Sequence, residues 1–217
     1  MAKVKVKKQS TWVDMTAMSD VTVLLLTFFM LTSTFIQNEP VTVTTPSSVS
    51  DKKIPETNLL TILVDSNGKL FMSLDNQNDM AATLRAVGED YGLNFTPEQV
   101  GTFQRQLMFG VPIRQMASFL EMPSDRQDEY LKELTSQKVG IPTSDTEVRD
   151  ENGKVISSDN EFKRWVTHAK KANDKLQIAI KADQETNYPV VKMVMENLRD
   201  MRENRYLLIT SLKNSSD

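Results

Sequence analysis

Apolar and polar positions alternate on three different periods along this chain, and each period marks a different kind of structure. From Val21 to Ile36 the residues read VTVLLLTFFMLTSTFI without one charge. Extended back to Met15 and on to Gln37, the segment makes a helix of about 23 residues and about 35 Å, enough to cross a hydrocarbon core of about 30 Å. The chain after it is strongly polar. Leu59 to Val64 is aliphatic and β-branched, Asn67-Gly68 is a two-residue hairpin signal, and Lys69 to Ser73 returns as a second strand. Helical signals come next. Asp79 to Val87 is the first, Thr96-Pro97-Glu98-Gln99 is a capping-box start, Pro112 opens another helix, Ser124 with Gln127 caps a fourth, and Asp159 to Lys171 is a fifth. Residues 138 to 157 read as loop, with Asn152-Gly153 a surface hairpin. Lys175 to Ala182 reads as a strand, Pro189 opens a helix through about Met201, and Tyr206 to Ser211 is the last strand.

The expected architecture is a single N-terminal transmembrane α-helix plus an exported α+β domain with a largely helical insertion. Its parts are a tail over 1–14, the membrane helix over 15–37, an extended linker over 38–56 and the α+β domain over 57–217, with the insertion at 76–173. Charge then gives a direction. Lys3, Lys5, Lys7 and Lys8 stand against Asp14 before the apolar run, while the remainder of a chain of net charge -3 is acidic. Basic residues ahead of the span keep the N-terminus cytoplasmic and export the chain beyond Pro40, in a bacterium to the periplasm. A cleaved signal peptide competes with this reading, but Ser33-Thr34-Phe35-Ile36-Gln37 offers no small-x-small cleavage site, and Asp20 is foreign to such a peptide's apolar region.

The chemistry that composition permits is narrow. With Cys 0 and His 1 there is no disulfide, thiolate metal site or cysteine nucleophile, and a histidine-rich metal cluster is excluded. The acidic balance argues against a nucleic-acid partner. No phosphate loop, nucleophile elbow or HExxH pattern occurs, so no enzyme activity, metal or cofactor is expected. His168 reads as solvated, Met193 and Met195 as packing residues, and Arg199, Asp200, Arg202 and Glu203 as an exposed helix face.

Asp20 is the residue that stands out. A carboxylate in a spanning helix costs several kcal/mol against lipid and therefore faces a partner helix or a hydrated cavity. Thr16, Thr27 and Thr34 fall within roughly 40° of it on a helical wheel, so they share one polar stripe that other helices must cover. The bland alternative is that the threonine hydroxyls bond back to their own helix and that Asp20 caps or snorkels.

The segment Val13-Asp14-Met15-Thr16-Ala17-Met18-Ser19-Asp20-Val21, followed by LLLTFFMLTSTF, resembles the ExbD/TolR family. In that family a threonine stands four residues before a single membrane aspartate; Ala17 occupies a place where the family usually has proline. A second likeness is Ile178 to Asp183, then Tyr188, then Val194, Met195 and Leu198, similar to the family's strand ending Ala-Asp, its tyrosine and its Val-Met helix. Val41 to Pro46 resembles the family's short extended segment, with Thr44 and Thr45 in place of its usual Asn-Leu. The resemblance covers roughly 13–73 and 175–213. It implies a single-pass subunit of a bacterial inner-membrane motor driven by protons, with Asp20 as proton carrier and Thr16, Thr27 and Thr34 lining the path or packing between helices. The implied partners are a ring of ExbB/TolQ-like polytopic subunits, a second copy of the chain, and a TonB/TolA-like transducer, with no cofactor beyond protons. Val41, Val43 and Pro46 are expected to form an extended, partner-binding strand at a sheet edge. The rival expectation is a membrane-anchored binding or scaffold protein whose helix is only a tether.

Overall fold

The computed structural model describes residues 15–33, 41–48, 55, 57–132, 139–149 and 155–212. They fall into two compact units, one N-terminal and one beginning at Glu39.

The first unit is built on α1 (Met15–Thr32), 18 residues long. At 1.5 Å per residue this helix is about 27 Å long, and it is apolar enough to cross a membrane. Ser33 is outside the helix but donates its N–H to Phe29 O at 2.9 Å. The predicted span includes Thr34 to Gln37, which lie outside the described residues, as does the lysine-rich tail.

The second unit is an α+β domain on a mixed sheet. In chain order it contains β1 (Ser47–Ser48), β2 (Leu59–Val64), β3 (Leu70–Leu74), α2 (Gln77–Asp90), α3 (Pro97–Gln104), α4 (Ile113–Leu120), α5 (Ser124–Lys132), β4 (Thr146–Arg149), β5 (Val155–Asp159), α6 (Glu161–Ala172), β6 (Gln177–Ala182), α7 (Tyr188–Asp200), β7 (Tyr206–Ile209) and β8 (Ser211–Leu212). The main sheet runs β3-β2-β6-β7. β2 pairs antiparallel with β3 and parallel with β6, and β6 pairs parallel with β7. Thus β2 and β6 are central, and their aliphatic runs follow from burial on both faces.

The hairpin between β2 and β3 differs from the two-residue turn expected at Asn67-Gly68. Gly68 N–H donates to Asp65 O at 2.8 Å and Asp65 N–H to Lys69 O at 3.0 Å, with Gly68 at φ 74. The turn is therefore centred on Ser66-Asn67 and Gly68 supplies the left-handed residue that rejoins the ladder. Asp65 stabilises it, accepting from Asn67 N–H at 3.0 Å and from Asn67 Nδ2 at 2.9 Å.

Caps explain where the helices depart from expectation. α2 starts at Gln77, before Asp79, because the Asn76 side chain accepts from Asn78 N–H. The Thr96 and Gln99 capping box is present as predicted. Gln127 is no cap: its buried amide donates to the carbonyls of Phe119, Leu120 and Met122 and so closes the end of α4. Asp159 belongs to β5 opposite Thr146, and Asn160 caps α6 by accepting from Lys163 N–H at 3.1 Å. The β4–β5 ladder also replaces part of the loop expected over 138–157, while Asn152-Gly153 lies outside the described residues.

Sheet and helices share one hydrophobic core. Phe103, Phe109 and Trp165 form an aromatic cluster with centroids 4.8 to 6.1 Å apart. Gly110 lies directly against the buried ring of Phe71 on β3. The long segment between β3 and β6 is thus inserted in sequence but continuous with the sheet in packing.

Candidate functional site

In α1 every side chain is exposed within the chain, including Met18, Val21, Leu24, Leu25, Phe28 and Phe29. A helix apolar on nearly all sides is stable in lipid, where its backbone polar groups satisfy one another. Its hydroxyls are also paired internally. Ser19 Oγ donates to Met15 O at 2.8 Å, Thr22 Oγ1 to Met18 O at 2.7 Å, and Thr32 Oγ1 to Phe28 O at 2.8 Å. Thr27, predicted to line a path, donates to Leu24 O at 2.9 Å, leaving its oxygen's lone pairs free to accept. Thr16 lies on the first turn of the helix, and Thr34 lies outside the described residues.

Asp20 differs from these hydroxyls in kind. Among the described residues its carboxylate has no hydrogen-bond or ion-pair partner, and it is exposed on the helix surface. A carboxylate accepts hydrogen bonds but cannot satisfy itself on the helix carbonyls, which offer no donor. Ser19, Thr22 and Thr32 carry no predicted role, yet the same back-bonding could be read from hydroxyls placed four residues after a helix carbonyl, which they share with the backbone N–H.

The α+β unit holds the other predicted residues. Val41 is 2% exposed and Val43 packs on the same core, whereas Pro46 is exposed. Thr44 N–H donates to Asp183 Oδ2 at 2.8 Å and Gln184 N–H donates to Thr44 O at 2.9 Å. Asp183 also accepts from Glu185 N–H at 2.9 Å, which holds its carboxylate in place. A regular ladder begins only after Pro46, where Ser47 and Ser48 pair in parallel with Ser211 and Leu212. Over Val41 to Thr45 a carboxylate, rather than a neighbouring strand, takes the Thr44 N–H. This strap is anchored by Asp183, 139 residues away in the chain, a contact for which local sequence carries no signal.

The solvated reading of His168 is overturned. Its Nε2 lies 2.8 Å from Asp90 Oδ2, and Arg164 Nη1 lies 2.9 Å from the same oxygen. The His168 hydrogen bond, seconded by Arg164, holds the Asp90 carboxyl below the usual carboxylate range against the opposing effect of burial. These groups join the end of α2 to α6 and line a polar cleft of about 510 Å³ with Asp145, Lys163 and Lys171. Its cations are largely spent on acids, since Lys163 also meets Asp200 at 3.1 Å. Of the helix face expected to be merely solvated, Asp200 therefore ties the end of α7 to α6, and Glu203, in the turn after α7, meets Lys170 of α6 at 3.3 Å. Met195 packs against the core as expected, but Met193 is exposed and accepts from Thr143 Oγ1 at 3.3 Å.

Residues 7–96 match the family model described as biopolymer transport protein ExbD/TolR. The match includes Thr16 and Asp20 on α1, the strap, the β2–β3 hairpin and α2. No curated protein and no solved structure gives a significant match.

Proposed function

We propose that this chain is a single-pass subunit of an energy-transducing inner-membrane complex of the ExbD/TolR kind, with Asp20 as its proton carrier. The observation that carries the reading is the family match over the segment in which Asp20 is the one acid of the apolar helix and lacks a partner within the described chain. A carboxylate so placed requires donors or water from outside the chain. ExbB/TolQ-like polytopic subunits packed around two copies of α1 would provide them.

In this mechanism Asp20 is neutral when pressed against neighbouring helices and ionised when it meets a hydrated path. Moving one charge through 100 mV of membrane potential releases about 2.3 kcal/mol, so each passage must be coupled to a helix displacement for the work to accumulate. Thr16, Thr27 and Thr34 would accept or donate hydrogen bonds along the path, but their hydroxyls do not titrate at physiological pH. The lysine-rich tail stays cytoplasmic and the α+β domain lies in the periplasm, where a TonB/TolA-like transducer receives the motion. No enzymatic step belongs to this role. Val41, Val43 and Pro46 form the strap through which the membrane helix pulls on the domain, and release of Thr44 from Asp183 would lengthen the connection.

Asp20→Asn tests the proposal because it preserves shape and removes titration. In vesicles holding the complex, the variant should assemble with the ring subunits and conduct no protons. Undiminished proton flux and transport in Asp20→Asn would reduce α1 to a tether.

A further inference from the structure

With 12 methionines and no cysteine, the chain offers an oxidant thioether sulfur alone. In the α+β unit most of that sulfur is shielded. Met72, Met80, Met108 and Met116 are buried in the core, and Met122, Met195 and Met201 are half-buried. Met193, 42% exposed, is the one exposed methionine of this unit among the described residues. Its sulfur also has a donor aimed at it, since Thr143 Oγ1 donates to Met193 Sδ at 3.3 Å. The backbone carbonyl of Thr143 accepts in turn from Asn160 Nδ2 at 2.9 Å and from Asn197 Nδ2 at 3.0 Å, and both asparagines are buried. Asn160 caps α6 and Asn197 belongs to α7. Thr143 is thus the residue through which the segment ahead of β4 is bonded to both helices. Met193 is the solvent-facing end of that junction, and a thioether is its weakest acceptor.

We propose that Met193 is a site of reversible oxidation, at which a hydroperoxide converts the thioether to a sulfoxide and tightens the hold of α7 on Thr143. A sulfur lone pair attacks one peroxide oxygen and the O–O bond breaks. With hydrogen peroxide, the attacked oxygen stays on sulfur and gives up its proton to the departing hydroxide, which leaves as water. Sulfur loses two electrons and the peroxide gains them. The Thr143 hydroxyl then exchanges a weak sulfur acceptor for a sulfoxide oxygen. At a buried methionine such as Met116 the same change would force a polar group among aliphatic side chains and disrupt the packing. At Met193 the new oxygen meets a donor already in place on one side and water on the other. Methionine sulfoxide reductases reverse the step, two thiols forming a disulfide while the oxygen leaves as water. The inference concerns contacts within the α+β unit and does not rest on the role of Asp20.

The full-length chain in membranes would be treated with hydrogen peroxide, quenched and digested, and the sulfoxide at each methionine measured by mass spectrometry. Met193 should oxidise roughly tenfold faster than Met116, or more, because susceptibility follows exposure. Hydrogen exchange over residues 139–145 and 189–199 should slow roughly two- to tenfold in the oxidised chain, the range for one improved hydrogen bond. Both reductases with dithiothreitol should restore the starting rates. Two variants separate this effect from a general response to peroxide. Met193→Leu removes the sulfur and should show no slowing. Thr143→Val keeps the backbone carbonyl that Asn160 and Asn197 use but removes the hydroxyl, so Met193 should still gain oxygen while exchange stays unslowed. Unchanged or faster exchange on oxidation of the parent chain, slowing that persists in either variant, or oxidation of Met193 no faster than that of Met116 would overturn the proposal.

Discussion

Gly110 has no room for even one more carbon. A Cβ built on it would lie 2.1 Å from Cδ1 of Phe71, a ring that is fully buried. Gly110→Ala should therefore destabilise the α+β domain by about 1–3 kcal/mol, the usual cost of overpacking, seen as a lower denaturant midpoint with unchanged slope. Asp90 makes a prediction about pH instead. Its carboxyl titrates below the unfolded value because of His168 and then Arg164, so its contribution is present above about pH 3.9 and is lost as pH falls through the lower folded value. The site is partly open to water, and the contribution should stay below about 1 kcal/mol. Acid titration of Asp90→Asn against the parent chain would measure it, the two curves converging at the acid end. Asp20 stands out in the sequence because a lone acid inside an apolar run contrasts with its immediate neighbours, and its role stays a proposal. The contacts of Gly110 and Asp90 arise between elements distant in sequence, and nothing near either residue announces the partner.

Elements were legible where local chemistry decides them. β2 was found at both ends from its aliphatic run, and the Thr96 box from the hydrogen bonds its residue types can exchange. Boundaries slipped where a less conspicuous residue did the capping, as at Asn76 and Asn160, or where a side chain served tertiary structure, as with Gln127. The strap was half legible. Its β-branched residues indicate extension, but the bond that holds it comes from Asp183, remote in sequence. Asp183→Ala should remove the acceptor of the Thr44 N–H and loosen the strap by about 1–2 kcal/mol, between the cost of a typical hydrogen bond and that of a bond to a charged group, because the site is exposed. Hydrogen exchange of the Thr44 and Gln184 amides should accelerate roughly five- to thirtyfold, while exchange in β2 and β6 stays unchanged. Unaltered exchange at Thr44 would remove Asp183 as the anchor.

At the scale of the whole molecule, the central question is whether the segment beyond the family match is an accessory or part of the fold. Sequence placed a row of caps between two family-like blocks, which suggests a removable insertion leaving a hairpin-strand-helix-strand domain. Packing argues the other way. Phe103, Phe109 and Trp165 come from the inserted segment, and their cluster continues through Gly110 to Phe71 and through the Met72–Phe109 bridge to the edge of the sheet. Glu161, also inserted, accepts from Ile113 N–H at 2.8 Å and from Trp165 Nε1 at 3.2 Å, so even its buried polar groups are satisfied only with α4 and α6 together. Deleting residues 97–173 and rejoining the ends would strip this cover from β3, expose aromatic-facing sheet surface and reopen the edge that now bonds Phe109 and Ile141. The expected product is an insoluble or molten chain without a cooperative unfolding transition, because truncating a single buried Phe or Trp side chain already costs about 3–5 kcal/mol in a domain whose total stability is about 5–15 kcal/mol. Conversely, the parent chain should lose α2, α6 and the sheet in one transition when hydrogen exchange is followed through denaturant. A deletion variant that stays monodisperse and melts cooperatively would show that the sheet, α2 and α7 suffice, and that the inserted helices were added to a domain already able to stand alone.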